Sequence, residues 1–284
     1  MGIVVGIDIG GSTTKIAGFD QDKMLIPVQI SANNAIASLF GAFGKFLYDN
    51  QLALNDIEQV NLTGVGCAVI DQPIYGLPTY KVDEFTANGV GGGYFAQGKQ
   101  EFMVVSMGTG TSFVGVKNGV PTHLGGIGIG GGTIIGLSKL MLNTDDIDKI
   151  QELASTGRVG YIDLRIGDIS EKPLPGLNLE ITASNFGKAS SRANCEDKAA
   201  GIVHMVIETI CQTAALISQG TNMKDFILIG ALTNFPECEA VCSMIKTLFP
   251  DLTFHIPEAG EYGTAIGTAL AENCCLKYVG GGKA

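Results

Sequence analysis

Basic side chains are scarce in this 284-residue sequence: 18 Lys and Arg stand against 28 Asp and Glu, a formal net charge of -10. Binding to a nucleic-acid backbone requires clustered cations, so a nucleic-acid partner is excluded, and no basic patch suits a membrane surface. The seven cysteines are odd in number and scattered, with only Cys238 and Cys242 one helical turn apart. That pattern is neither a disulfide framework nor a zinc site and reads as buried free thiols. No apolar run reads as a bilayer span, and the first residues enter a strand without a basic leader, which reads as cytoplasmic. Neither a G-x-x-x-x-G-K-[ST] loop nor a strand-turn-helix dinucleotide fingerprint is present, which disfavours the common nucleotide folds.

Forty glycines are there instead, alongside 45% hydrophobic and 16% charged residues, a composition for one large globular domain or two moderate ones. The stretch "VVGIDIGGSTTKIAGFD", residues 4–20, places Asp8 at the end of an apolar run, before two glycines and three hydroxyl residues. Adjacent glycines cost backbone entropy and small hydroxyls add little to a core, so packing alone does not account for it. A turn of Gly10, Gly11, Ser12, Thr13 and Thr14 can aim backbone N–H groups and hydroxyls at phosphate oxygens. Asp8 belongs beside a phosphate only if Mg²⁺ lies between them, directly or through water. Lys15 adds a counter-charge.

The runs "IVVGIDIG", "TTKIAGFD" and "MLIPVQIS" read as an antiparallel meander, followed by a helix over residues 33–50 and a strand at "QVNLTG". Near residue 101 the pattern starts again. An offset of 99 lays "SMGTGTSFVGVKNG" on "GIDIGGSTTKIAGF", pairing Gly11 with Gly110, Ser12 with Thr111 and Thr13 with Ser112, and putting Met107 where the first copy has Asp8. The second copy ends in Asn118-Gly119, a hairpin signal. A repeated strand, glycine-hydroxyl turn and strand indicates a duplicated domain, divided here into residues 1–100 and 101–284. Two such turns would grip one polyphosphate from opposite sides, with one carboxylate for the metal. Downstream, "GGIGIGGGTIIGL" carries glycines into a helix expected to start near Thr133, a setting that suits a nucleotide's phosphates. Helices are expected at 196–220, 237–249 and 261–276, with a buried strand in "DFILIGAL".

This ordered set resembles the superfamily of sugar kinases, heat-shock-type ATPases and actin, and within it the type II pantothenate kinases, over nearly the full length. "GIDIGGSTTKI" is similar to that family's first phosphate motif, "GTGTS" (Gly108, Thr109, Gly110, Thr111 and Ser112) to its second, and "TASNFG" and "ILIGAL" to later landmarks. The resemblance implies an α/β fold of two ribonuclease-H-like (actin-like ATPase) domains around a cleft. It implies ATP and Mg²⁺ as cofactors, phosphoryl transfer to the primary hydroxyl of pantothenate at the first step of coenzyme A synthesis, and a homodimer using the helix at 196–220. Asp8 would be the magnesium-associated aspartate. Thr109 with Gly131, Gly132, Thr133, Ile134 and Ile135 would line the phosphates, and Gly230 with Ala231 would approach the adenosine. In "KVDEF" the family register selects Glu84 as catalytic base, with Asp83 pointing away in an extended segment. A carboxylate is the group needed to deprotonate an alcohol at neutral pH. Where the family has an arginine before its glycine run, this sequence has His123, which lacks the permanent charge and the fork, so Arg158, Arg165 or Arg192 could compensate. Two other activities fit the same superfamily: a sugar or amino-sugar kinase, and a nucleotide-switched activator ATPase.

Overall fold

The structure, a computed structural model, describes residues 2–31, 34–170, 172 and 178–280. The first sheet opens with β1 (Ile3–Ile9) and β2 (Thr13–Asp20), an antiparallel pair. The expected third strand of the meander is two pieces, β3 (Lys23–Met24) and β4 (Val28–Ser31), both pairing with β2. Pro27 explains the break, since it has no N–H for a ladder. Helix α1 (Ala35–Asp49) starts where the Asn34 side chain accepts from the Ala37 N–H, so Asn34 caps it; residue 33 of the expected helix lies outside the described residues. Phe43 and Phe46 of α1 are fully buried against β1 and β2, each contributing about 1.5–3 kcal/mol. Strands β5 (Ile57–Thr63) and β6 (Thr79–Lys81) extend the sheet in parallel beyond β1.

After α2 (Glu84–Phe95) the pattern repeats as β7 (Glu101–Met107), β8 (Thr111–Lys117) and β9 (Val120–Ile127). Asn118 and Gly119 both have positive φ (49° and 77°), as the hairpin turn they signal requires. Helices α3 (Gly131–Leu142) and α4 (Ile147–Thr156) follow, then a small unit of β10 (Leu164–Arg165), α5 (Ile166–Ile169) and β11 (Thr182–Ser184). The core helix α6 (Cys195–Thr221) leads to β12 (Asp225–Ile229), α7 (Glu237–Leu248) and β13 (Thr253–His255). The chain closes with α8 (Gly263–Leu270) and β14 (Lys277–Tyr278).

The two sheets share one topology. The first runs β6-β5-β1-β2-β3 and the second β13-β12-β7-β8-β9, each a three-strand meander flanked by two parallel strands, with β14 added to the edge of the first. This is the duplicated ribonuclease-H-like architecture, the actin-like α/β fold. The chain crosses the expected division at residue 100 twice. Helix α2 packs on β7, β8, β9 and β12 of the second sheet, while α8 lies on β1, β2 and β5 of the first and β14 joins that sheet. The two helices touch at backbone distance: a Cβ on Gly267 would sit 1.8 Å from the Ala87 carbonyl oxygen, and one on Gly91 1.9 Å from that of Gly263. Only glycine fits there, and the contact fixes how the domains face each other.

Three expectations change. The helix expected at 261–276 starts at Gly263 and ends at Leu270. Helix α6 is long and apolar enough in composition to cross a membrane, contrary to the sequence reading, yet most of that stretch is buried in the core of the second domain against α3, α4 and α7. Burial also removes most of the helix as a subunit surface, although Leu216 stays exposed. Of the seven thiols only Cys211, Cys238 and Cys242 are buried; Cys67 is half-buried and the other three are exposed.

Candidate active site

Strand periodicity decides which residues of the first turn face the cleft. Ile7 and Ile9 are fully buried on the α1 side, so Asp8 points to the other face, where Lys15 stands directly opposite it on β2. Gly6 on that face lets α8 lie against the backbone, and Asp8 emerges two residues further along the strand. Thr14 falls on the α1 side. It is fully buried and its hydroxyl donates to Ser38 Oγ at 2.9 Å, which corrects its expected place among the phosphate contacts.

Asp8 keeps one open side but is otherwise enclosed by protein. Burial pushes its carboxyl above the ordinary value of 3.8, only partly offset by Lys15. The same burial lowers the Lys15 ammonium against the opposing pull of Asp8 and Glu261. Glu261, in the turn before α8, is a cleft residue that sequence reasoning missed; its only local signal is a carboxylate flanked by glycine in "EAGEYG".

The second turn meets the first. Ser12 Oγ and Thr109 Oγ1 lie 3.2 Å apart, so hydroxyls from both domains converge on one point as the duplication implied. Among the described residues no backbone carbonyl takes the N–H groups of Gly11, Ser12, Thr109 or Gly110. Sheet register corrects the offset between the copies. Asp8 pairs with Lys15 and with Thr63, the last residue of β5; the residue in that place on β7 is Ser106, which pairs with Ser112 and with Ile229, the last of β12. Met107 corresponds to Ile9, and both are fully buried. The charged pair of one domain thus corresponds in register to a pair of serines in the other.

The glycine run is laced to the second turn. Gly131 and Gly132 donate their N–H groups to the carbonyls of Gly108 and Thr109, and Thr133 N–H donates to Gly130. Helix α3 accordingly starts at Gly131, two residues before the expected point. Its first N–H groups hold the turn closed instead of being offered to phosphate, a second correction. Thr111 Oγ1 donates to the Ile129 carbonyl at 2.8 Å, and Ile134 is fully buried in the core, whereas Ile135 is half-buried. Gly230 adopts φ +99°, donates to the Gly260 carbonyl and sits on Met107, where a Cβ would come within 2.4 Å of the Met107 carbonyl oxygen. The turn that begins at Ala231 therefore lies beside the glycine run, Leu232 reaching Gly131.

Glu84 is the first residue of α2. Asp83 caps that helix, its Oδ1 accepting from the Phe85 and Thr86 N–H groups at 3.1 Å, which leaves Glu84 to face inward. A helix N-terminus favours an ionised carboxylate, but burial, then Asp8 and Asp83, outweigh it and raise the Glu84 carboxyl above 4.5. A carboxylate of raised pKa is a stronger base for an alcohol. The turn after β5 lies at the same spot, Gly64 being so close that a Cβ there would come within 2.6 Å of Asp8 Oδ1; in that turn burial, then the charges of Glu84 and Asp8 against that of Lys81, raises the half-buried Cys67 thiol. The His123 ring stacks on Phe85 with centroids 3.8 Å apart, so β9 delivers it beside the base. Asn88, unremarked in the sequence, ties the parts together: its amide donates to Ser112 Oγ and its carbonyl accepts from Thr264 Oγ1 at 2.8 Å. Arg158, Arg165 and Arg192 instead share a separate cavity where the loop after α4 meets the segment that precedes α6.

Residues 80–244 match the family model described as Fumble. A protein of Bacillus cereus named type II pantothenate kinase is 30% identical, with 94% of this chain aligned to 97% of its length. One of Bacillus anthracis with the same name is 31% identical (94% and 96% covered), and one of Staphylococcus haemolyticus 29% (93% and 97%). In fold the chain is similar to an activator of 2-hydroxyisocaproyl-CoA dehydratase from Clostridium difficile with bound ADPNP (TM-score 0.68, 15% identity, 94% and 93% covered). It is also similar to a ROK family glucokinase from Streptomyces griseus in complex with glucose and AMPPNP (TM-score 0.56, 14% identity, 94% and 98% covered). With two hydroxyl turns meeting across a cleft, and one carboxylate on each of β1 and α2 beside them, the chain belongs to the type II pantothenate kinase family.

Proposed function

We propose that the protein is an ATP-dependent kinase that phosphorylates the primary hydroxyl of pantothenate, the first step of coenzyme A synthesis. The observation that carries this reading is Glu84, half-buried beside Asp8 and the His123–Phe85 stack, in a chain 31% identical to proteins named pantothenate kinase. The triphosphate lies where Ser12 and Thr109 meet, its oxygens taking hydroxyls and the unpaired N–H groups of both turns. Asp8 fits Mg²⁺: it is an enclosed carboxylate of raised pKa next to a second carboxylate, a repulsion that a divalent cation relieves. Bound there, directly or through water, the ion would neutralise phosphate charge. Glu84 accepts the hydroxyl proton as the acceptor oxygen bonds to the terminal phosphorus and the bond to the ADP oxygen breaks. His123 donates to the acceptor's carboxylate. The enzyme acts as a cytoplasmic homodimer, and α3 and α6, which pack together, expose Leu140, Met141 and Leu216 for that contact.

The test is an acceptor panel with ATP and Mg²⁺, read by mass spectrometry. Phosphopantothenate is expected. Phosphorylation of a hexose without pantothenate would assign a sugar kinase, and ATP hydrolysis indifferent to every acceptor would assign an activator ATPase.

A further inference from the structure

The chain carries an excess of ten negative charges, yet one cavity is walled by cations. It has a volume of about 780 Å³, lies where the loop after α4 meets the segment that precedes α6, and is lined by Arg158, Tyr161, Arg165, Lys188, Ser190 and Arg192, with no acidic side chain among the described residues of its wall. Four of the chain's 18 basic residues thus face one space. The volume falls within the range of small-molecule sites.

The wall is built before any ligand arrives. Gly157 seats the loop on the first turn of α6, where a Cβ would meet the Glu196 carbonyl oxygen at 2.0 Å. Arg158 N–H donates to Asp197 Oδ1 at 2.9 Å, and the guanidinium lies 4.2 Å above the Tyr161 ring. The N–H groups of Lys188 and Ser190 donate to the carbonyls of Ile162 and Tyr161 at 3.0 Å, stitching the two walls together. Carboxylates paired with three of the cations orient them: Asp197, itself buried, holds Arg158, Glu180 holds Arg165, and Asp168 holds Lys188 at 2.6 Å. Burial alone would raise the Asp197 carboxyl, but the Arg158 N–H and guanidinium outweigh it and keep it below 3.8, so this pair stays ionised. Arg192 has no ion-pair partner among the described residues.

Each guanidinium has five N–H donors, and the paired carboxylates take only some of them. The remaining donors, the ammonium and the Ser190 hydroxyl belong to five residues that line one space. A planar carboxylate presents its acceptors in one plane; a tetrahedral phosphate dianion presents them in all directions and carries the larger charge. We propose that this cavity is a binding site for a phosphomonoester-bearing metabolite, separate from the nucleotide cleft.

Lys188 gives a local readout. The protein is treated with an amine-acetylating ester, with or without millimolar pyrophosphate or glycerol 3-phosphate, and labelling at each lysine is mapped by peptide mass spectrometry. Both anions are expected to slow labelling of Lys188 several-fold while Lys45, paired with Asp49 on α1, is unchanged. Arg192→Glu, at an exposed position, is expected to keep the wild-type melting temperature and to raise the anion concentration needed for protection about tenfold or more. Arg192→Gln should show a smaller loss in the same direction. Labelling of Lys188 indifferent to both anions, or protection equal in wild type and Arg192→Glu, would overturn the proposal. Equal protection by malonate or by pantothenate would also overturn it, because the cavity would then select carboxylates.

Discussion

Replacing Gly267 by alanine sets two effects of opposite sign against each other. In a helix interior alanine is better than glycine by about 0.8–1.0 kcal/mol, so propensity alone makes the variant more stable. Packing says the reverse. The new methyl would lie 1.8 Å from the Ala87 carbonyl oxygen and 2.4 Å from the Gly91 nitrogen, both backbone atoms that cannot swing aside. To restore ordinary contact α2 and α8 must part by about 1.5 Å, and an overpacked, close-packed site costs roughly 1–3 kcal/mol. Because the obstacle is backbone, the upper end applies. A net loss of about 2 kcal/mol corresponds to a melting temperature lower by about 4–8 °C. Parting the helices also strains the bonds from Asn88 to Ser112 and Thr264, so activity should fall even where the variant is folded. Gly44→Ala in α1 is the control: a Cβ there meets nothing within 4 Å, and the melt should rise by about 1–3 °C. Differential scanning calorimetry on both variants decides. A Gly267→Ala protein as stable as Gly44→Ala would refute the backbone contact as the hinge of the molecule.

Asp8→Asn should abolish Mg²⁺-dependent nucleotide binding in calorimetry while raising the melting temperature of the ligand-free protein at neutral pH. Its folded carboxyl titrates above 3.8, so the ionised form costs stability; the gap between variant and wild type should narrow as pH falls through the raised value towards 3.8. Gly64→Ala places a Cβ 2.6 Å from Asp8 Oδ1 at a φ of +84°, and a kinase assay should show activity reduced at least as strongly as the melting temperature predicts. His123→Arg should lower KM for pantothenate about tenfold by supplying a permanent, forked charge, with kcat little changed in steady-state assays.

Much of the fold was legible because hairpins and long apolar helices carry local signals. Asn118-Gly119 closes β8 and β9 with the positive φ values it requires, and α6 spans one residue more at each end than its apolar stretch suggested. Helix α2 was not legible. "EFTANGVGGGYF" has four glycines spread through it and no clear apolar face, and a sequence rule cannot see that Gly91 is there to meet Gly263. The site was half legible. Asp8, Glu84 and the two hydroxyl turns stand out by residue type, and they come together. What failed was anything set by pairing across a sheet: Thr14 turned inward by strand period, and Ser106 standing where Met107 was expected. Glu261 and Cys67 lie far from these motifs in sequence and reach the cleft only through the fold, and Asn88, one turn after Glu84, gains its partners Ser112 and Thr264 the same way.

The central claim is that Glu84 takes the proton of an alcohol while both domains hold the nucleotide. Single-turnover transfer of phosphate from ATP to pantothenate, compared between wild type and Glu84→Gln with nucleotide binding measured alongside, tests it directly. The expected result is unchanged nucleotide affinity with transfer about 10²–10⁴-fold slower, and a wild-type rate that rises with pH through a value above 4.5. Transfer by Glu84→Gln at close to the wild-type rate would contradict it.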